Sequence, residues 1–379
     1  MTSRQRVEAA ATLKETDRIP IHHIGFSSEV ASKLLGREAY VGGGIQQWRE
    51  ACALLKGAEA HQEYVERSYR DALDIAELTG QDVVRPSYWR MPQMPTRRVD
   101  ENAILYGSGP EDDWFLLRYD AVSEQCVVQP CRERPPSFDS IAHDLRRQEK
   151  ALESFRPDEA GIAAEIRAQR EIGDDKVIRV GGAGVGIPVA GIWFEAMAAR
   201  PDLVKRYLDV QVAQAERQVP FLAGLGLTWL FGGGDMASNE GPMYSPRHFR
   251  ELILPRICRL AEICHRHRCR FFFASDGNLW PVADALFGES GVDGYYEIDR
   301  RAGMDLRRLR ERFPRLILLG NISSHTVHRG RPDEVIQETR ACLDEARQCR
   351  GVIAGLSNYF VPGTPIANVE AVLDAIREN

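Results

Sequence analysis

The chain has 379 residues, 44% of them hydrophobic and 27% charged, with 55 acidic against 49 basic residues and a net charge of −6. Such a composition builds an ordinary packed core and excludes disorder, and an acidic balance without a basic run argues against nucleic acid or an anionic membrane as partner. No stretch approaches the ~18–20 apolar residues of a membrane span, and the start MTSRQRVEAAATLKETDRIP has no apolar leader core, so a cytoplasmic protein is expected.

Short β-branched or aromatic runs alternate with helical patterns along the whole chain. A polar amphipathic helix opens it, followed by RIPIHHIGF (18–26) as a first strand and a helical stretch over 28–80. DVVRPSY (82–88) reads as the second strand. Residues 94–136 then alternate like a β-meander, a β-rich insertion after that strand, with a Pro-rich bend at 133–138. Six further strands follow at 176–184, 227–235, 269–278, 291–299, 315–323 and 351–358, most of them separated by one strong helix. Eight strands each followed by helix imply a parallel α/β sheet, which closes as a (β/α)8 TIM barrel or stays open as a doubly wound sheet. The barrel is the reading adopted, as one domain over 1–379 with a helical N-terminal extension and the insertion lying over the mouth.

In a barrel, polar groups at the C-terminal ends of strands face one mouth. FFFASDGN delivers Asp276 and Asn278, LFGGGD delivers Asp235, and GYYEID delivers Glu297 and Asp299. LLGNIS delivers Asn321, GLSNYF delivers Asn358 and Tyr359, and His22 and His23 sit on strand one. Singly, each Asp or Asn is as readily a helix cap. Period-two alternation lets only one of the two histidines face inward, and His23 is the one expected there.

Other motifs read as structural. GGAGVG (181–186) has the look of a phosphate cradle but lacks the lysine that would complete it, and reads as a close-packed turn. CHRHRC (264–269) carries metal-type residues at the opposite, N-terminal end of a strand. The eight cysteines (Cys52, Cys126, Cys131, Cys258, Cys264, Cys269, Cys342, Cys349) form no C-x-x-C pair and read as reduced apolar residues.

The run from GGGDMASNEG through CRFFFASDGNLWPVADAL, then GVDGYYEID, LLGNISSHTV and GLSNYFVPGTPIANVEAVLDAI, resembles the uroporphyrinogen decarboxylase superfamily over residues 200–379. ETDRIPIHH and KLLGREAY resemble its methyltransferase-like branch. The resemblance implies a (β/α)8 barrel that often pairs as a homodimer. It also implies either cofactor-free decarboxylation or methyl transfer to a corrinoid carried on a partner protein. The decarboxylases resemble one another in an RQAGR-like and an FSDIL-like stretch, where this chain has HHIGFSSEV and VVRPSYW, leaving Arg85 and Arg90 as the nearby cations.

Thiol-dependent methyltransferases hold zinc through a His-x-Cys pair and a second Cys, and those positions read Ala274, Asp276 and Asn358 here. A cation held instead by Asp276, Glu297, Asp235 and His23 would suit magnesium or manganese as well as zinc. Three functions therefore stand open. The leading one is acid-assisted demethylation of a small methoxylated or methylated substrate. Asp276 or Asp235 would be the acid, His23 a second proton donor, and Asn278, Asn358, Tyr359, Glu297, Asn321, Arg85 and Trp193 the substrate contacts. Burial against Trp193, Tyr295 or Phe273 would raise the acid's pKa. The alternatives are metal-free decarboxylation of a porphyrinogen-like or heteroaromatic acid, and non-catalytic binding of a corrinoid, a tetrapyrrole or a corrinoid protein.

Overall fold

The computed structural model describes residues 1–107, 114–130 and 136–379; Cys131 and the first part of the Pro-rich bend lie outside them. Helix Ser3–Ala11 comes first, capped by Thr2, whose side chain accepts from the Gln5 amide. Helices Ser28–Leu35, Gly44–Lys56 and Ala58–Leu78 follow. The strands are Val83–Val84 (β1), Arg97–Asp100 (β2), Ala103–Tyr106 (β3), Phe115–Asp120 (β4), Gln125–Pro130 (β5), Val177–Val180 (β6) and Trp229–Gly233 (β7). They continue with Arg270–Ala274 (β8), Gly294–Tyr296 (β9), Ile317–Leu319 (β10) and Val352–Ile353 (β11).

β1 and β6 to β11 form one parallel sheet in the order β1-β6-β7-β8-β9-β10-β11. The sheet is curled, and side chains prove it. Asn358, just after β11, donates to Asp276, just after β8, at 2.7 Å. In a flat sheet those strands would stand about 14 Å apart, three spacings of ~4.8 Å.

The expected first strand does not form a ladder. Its backbone bonds to both edges of the sheet nonetheless. Asp82 N donates to Ile21 O, while His22 N donates to Ala354 O and Ala354 N to Pro20 O. Pro20 has no amide to offer, and the Ile21 amide is taken by the buried Asp82 carboxylate at 2.8 Å. A side chain thus replaces a ladder bond, and the segment stays extended without becoming a strand.

Along β8 the side chains alternate. Phe271 and Phe273 pack outward under the helices. Phe272 points inward with Trp229, Phe231, Val177, Ile317 and Ile353. Phe272 stacks on Phe231 at 4.7 Å and on Trp229 at 5.0 Å, so aromatic rings fill the interior. Val7 of the opening helix joins this layer from the N-terminal end. Open space is left at the C-terminal strand ends.

The insertion is a four-stranded antiparallel sheet in the order β2-β3-β4-β5. Its buried Ile104, Tyr106 and Leu117 pack on Ala51 of helix Gly44–Lys56. Gln125 at the start of β5 donates to the Tyr359 hydroxyl at 3.0 Å, which ties the insertion to the end of β11. Among the described residues no helix is long and apolar enough to cross a membrane.

The glycine-rich turn 181–186 lies against the glycines that end β7. A Cβ on Gly232 would stand 1.4 Å from Ala183 O, and one on Gly184 would stand 2.8 Å from Gly233 N. Backbone meets backbone there, the close-packed turn expected of the sequence. Gly232→Ala is accordingly expected to cost more than about 3 kcal/mol, because neither facing chain is a side chain that can rotate away. Soluble yield and thermal midpoint against wild type would measure it.

Candidate active site

β7, β8 and β9 are neighbours, and each ends in a carboxylate. Asp235, Asp276 and Glu297 place carboxylate oxygens within 4.8 Å of one another. Gly277 (φ +85°) makes the turn after Asp276, where a Cβ would meet Ala237 O and Ser238 O at 2.6 Å, so the loops after β7 and β8 interlock. Ser275, one residue earlier, is buried and held from two sides. Its carbonyl accepts from the Tyr295 hydroxyl at 3.1 Å, and its own hydroxyl accepts from Met236 N at 3.0 Å.

These acids line a cavity of about 550 Å³ with Ile24, Gly25 and Phe26, the insertion's Gln125, and Asn358 and Tyr359. Arg85, Tyr88, Trp89, Arg179 and Tyr296 complete its cationic and aromatic side. Burial, followed by the charges of Asp235 and Asp299, pushes the Asp276 carboxyl up from 3.8 to about 7, against the opposing hydrogen bond from Asn358. Burial and then Asp276 push Glu297 up to about 8, opposed by Arg179. Three carboxylates this close cannot all ionise without a proton or a cation among them. Glu297 also holds φ +70°, a left-handed conformation uncommon for a non-glycine residue.

Of the residues singled out from the sequence, Asp276, Asp235, Glu297, Asn358, Tyr359 and Arg85 meet at this cavity. Asn278 caps instead, its Oδ1 accepting from Trp280 N at 3.1 Å. Asn321 is buried with no partner for its amide and does not line the cavity. Trp193 packs on Tyr207 at 4.6 Å, away from it. Asp299 caps the turn 300–302. Arg90 is committed to the buried Glu50.

One histidine of the pair faces inward, as expected, but it is His22 and not His23. His23 is buried between Phe26 and Phe360, neither ring nitrogen has a partner among the described residues, and burial lowers its pKa to about 3. It does not line the cavity, so nothing there receives a proton from it. His22 is the inward one, with Nδ1 facing Val83 O at 2.9 Å and Nε2 facing Arg179 at 3.2 Å. The alternation itself holds, with Ile19, Ile21 and His23 on the outer side and His22 and Ile24 on the inner side; the choice between its two phases went the wrong way. Arg179 was overlooked, although a lone arginine within the apolar run VIRV was a visible signal.

A zinc site of the His-x-Cys type does not fit these residues. Position 274 is an alanine, Asn358 is spent on Asp276 and the Tyr359 amide, and among the described residues no cysteine or histidine lines the cavity. The three carboxylates are a hard oxygen set, of the kind that suits magnesium or manganese. His265 of the CHRHRC run pairs with Asp293 at 3.0 Å at the opposite, N-terminal ends of β8 and β9.

Residues 193–379 match the family model described as Uroporphyrinogen decarboxylase (URO-D). No curated protein matched the chain in a sequence search. Among solved structures, a methyltransferase from Methanosarcina mazei superposes with a TM-score of 0.66 at 18% identity, covering 100% of this chain and 99% of that one. A chitinase from Chromobacterium violaceum reaches a TM-score of only 0.33 at 10% identity, over 56% of this chain and 94% of that one. The match spans Asp235, Asp276, Glu297 and Asn358 together with the strands that carry them, so the part of the chain that builds the acidic side of the cavity is similar to the uroporphyrinogen decarboxylase family.

Proposed function

We propose that the protein demethylates a small methoxylated substrate and passes the methyl group to a corrinoid carried on a separate protein. The observation that carries this reading is Asp276, a carboxyl pushed up to about 7 inside a cavity of small-molecule size. The whole-chain likeness to a methyltransferase supports it. The same reading takes the curled sheet, completed by residues 20–22, as a (β/α)8 barrel with its chemistry at the C-terminal strand ends.

An ether methyl is a poor electrophile because its leaving group is a bare alkoxide. When bound, the corrinoid supplies the electron pair that takes the methyl. Asp276 supplies the rest: its proton goes to the ether oxygen, which keeps the C–O electron pair and leaves as an alcohol. General acid help of this kind contributes ~10²- to 10⁴-fold. Asn358 fixes the acid by donating to Oδ2 at 2.7 Å. Burial and then the charges of Asp235 and Asp299 keep its proton affinity high, because each negative neighbour disfavours a further ionisation.

The test is a spectroscopic assay of cob(I)amide methylation by methoxylated acids, run with the partner corrinoid protein across pH. An acid must be protonated to act, so the rate is expected to be high below pH 7 and to fall as pH rises through about 7. A rate that rises through that range would exclude Asp276 as the acid. Release of CO₂ from the same acids without any cobamide would replace this reading with decarboxylation.

A further inference from the structure

Arg85 and Arg179 line the cavity, yet neither has a carboxylate within ion-pair distance among the described residues. Their partners are neutral. Arg85 Nε donates to Ser87 O at 3.0 Å and its Nη1 to Ile24 O at 3.3 Å. Arg179 donates to His22 Nε2 at 3.2 Å and reaches the Tyr296 hydroxyl at 3.5 Å. His22 accepts that bond as a neutral ring, since its Nδ1 proton is given to Val83 O. Burial and the neighbouring Arg179 push Arg85 down to about 10; Glu165, an acid outside the cavity that opposes this, is itself pushed toward its neutral form by burial, so two positive charges stand close together and, among the described residues, no carboxylate is bonded to either to balance them.

The acids of the cavity do not serve as that balance. Glu297, the acid that feels both arginines, is itself pushed toward its neutral form. Asp276 is bonded to Asn358. The missing negative charge has to come from a ligand. A guanidinium fork matches a flat oxyanion, and Tyr88, Tyr296 and Trp89 around it match a flat ring. A flat oxyanion held by the guanidiniums and continued by a ring between the aromatic side chains favours a carboxylate over a tetrahedral phosphate.

We infer that Arg85 and Arg179 form a carboxylate subsite, and that the substrate is a ring acid with its carboxylate on these arginines and its methoxyl group at Asp276. The carboxylate half rests on the arginines alone; the methoxyl half rests on the demethylation reading above. The substrate is thereby oriented across the cavity, one end on the cationic side and the other on the acidic side.

Calorimetric titration with the ortho, meta and para isomers of methoxybenzoate, with uncharged methoxybenzene and with inorganic phosphate tests the subsite without turnover. At least one methoxybenzoate is expected to bind, with methoxybenzene about 10- to 100-fold weaker, the weight of hydrogen bonds to a charged group. Arg179→Met should weaken the acid by a similar factor and leave methoxybenzene unchanged, and Arg179→Lys should recover part of the loss. A merely structural arginine would weaken both ligands alike. No binding by any isomer, equal binding of methoxybenzene, or tighter binding of phosphate overturns the subsite. Binding of the acid with no methyl transfer overturns the demethylation reading and leaves the subsite standing.

Discussion

Asp276→Asn is expected to lower methyl transfer by about 10²- to 10⁴-fold while leaving substrate affinity nearly unchanged. The amide keeps the shape of the carboxyl and can still face Asn358, whose Nδ2 donates to Oδ2 in the wild type, so the geometry survives. What disappears is the proton. Asp235→Asn should act in a second way. Removing the stronger of the two charges that raise Asp276 lowers the acid's pKa and moves the pH limb to lower values, with a smaller loss at the optimum. Full activity in both variants would remove the acid from the mechanism.

The same substitution has a stability signature with a definite sign. The folded Asp276 carboxyl titrates at about 7 and an unfolded one near the ordinary 3.8. Between these values the native state holds more protons than the unfolded state, so stability falls as pH rises through that window. The cost is complete above about pH 7 and absent below about 4. Asp276→Asn removes it, so the variant should be more stable than wild type at pH 8 and close to it at pH 4. Thermal midpoints at the two pH values would show a site whose function is maintained against stability.

Asp82→Ala is expected to have the largest effect on folding. Asp82 is fully buried and accepts from Arg6 at 2.6 Å, from Arg18 at 2.8 and 2.9 Å, and from the Ile21 amide at 2.8 Å. Removing one partner of a buried pair costs about 3–5 kcal/mol, because the remaining charge stays desolvated without compensation. Arg6, with its side chain 8% exposed, would lose its buried partner and keep only the more exposed Asp17, and the Ile21 amide would lose its acceptor. Set against a total stability of ~5–15 kcal/mol, this is a large fraction. Denaturant titration should show an earlier midpoint, and ligand affinity should fall too, since Ile24, Gly25 and Phe26 of the detached segment line the cavity. Arg18→Gln, which leaves Arg6 paired, should cost much less.

The element order was largely legible because each helix and strand carries its period locally. β8 was expected over 269–278 and forms over Arg270–Ala274, and the meander after the second strand is the sheet β2 to β5. The failures share a cause. His22 and His23 alternate as expected, but which of them faces inward is set by how the segment docks between the two sheet edges, and no local signal separates two adjacent histidines. Asn278 and Asn321 follow strands as Asp276 and Asn358 do, and nothing local separates an amide that caps from one that faces a cavity. Arg179 sits in an apolar run whose two faces look alike in sequence, and its neighbours His22 and Tyr296 come from distant parts of the chain.

Residue order by itself determined that this chain alternates strand and helix and places acids and amides at the ends of its strands, because periodicity and turn chemistry act over a few residues. Only the tertiary structure decided which of those groups meet and what charge they carry. Asp235, Asp276, Glu297 and Asn358 come together because the sheet curls, and a proton's affinity for Asp276 depends on the burial and neighbouring charges that the curl creates.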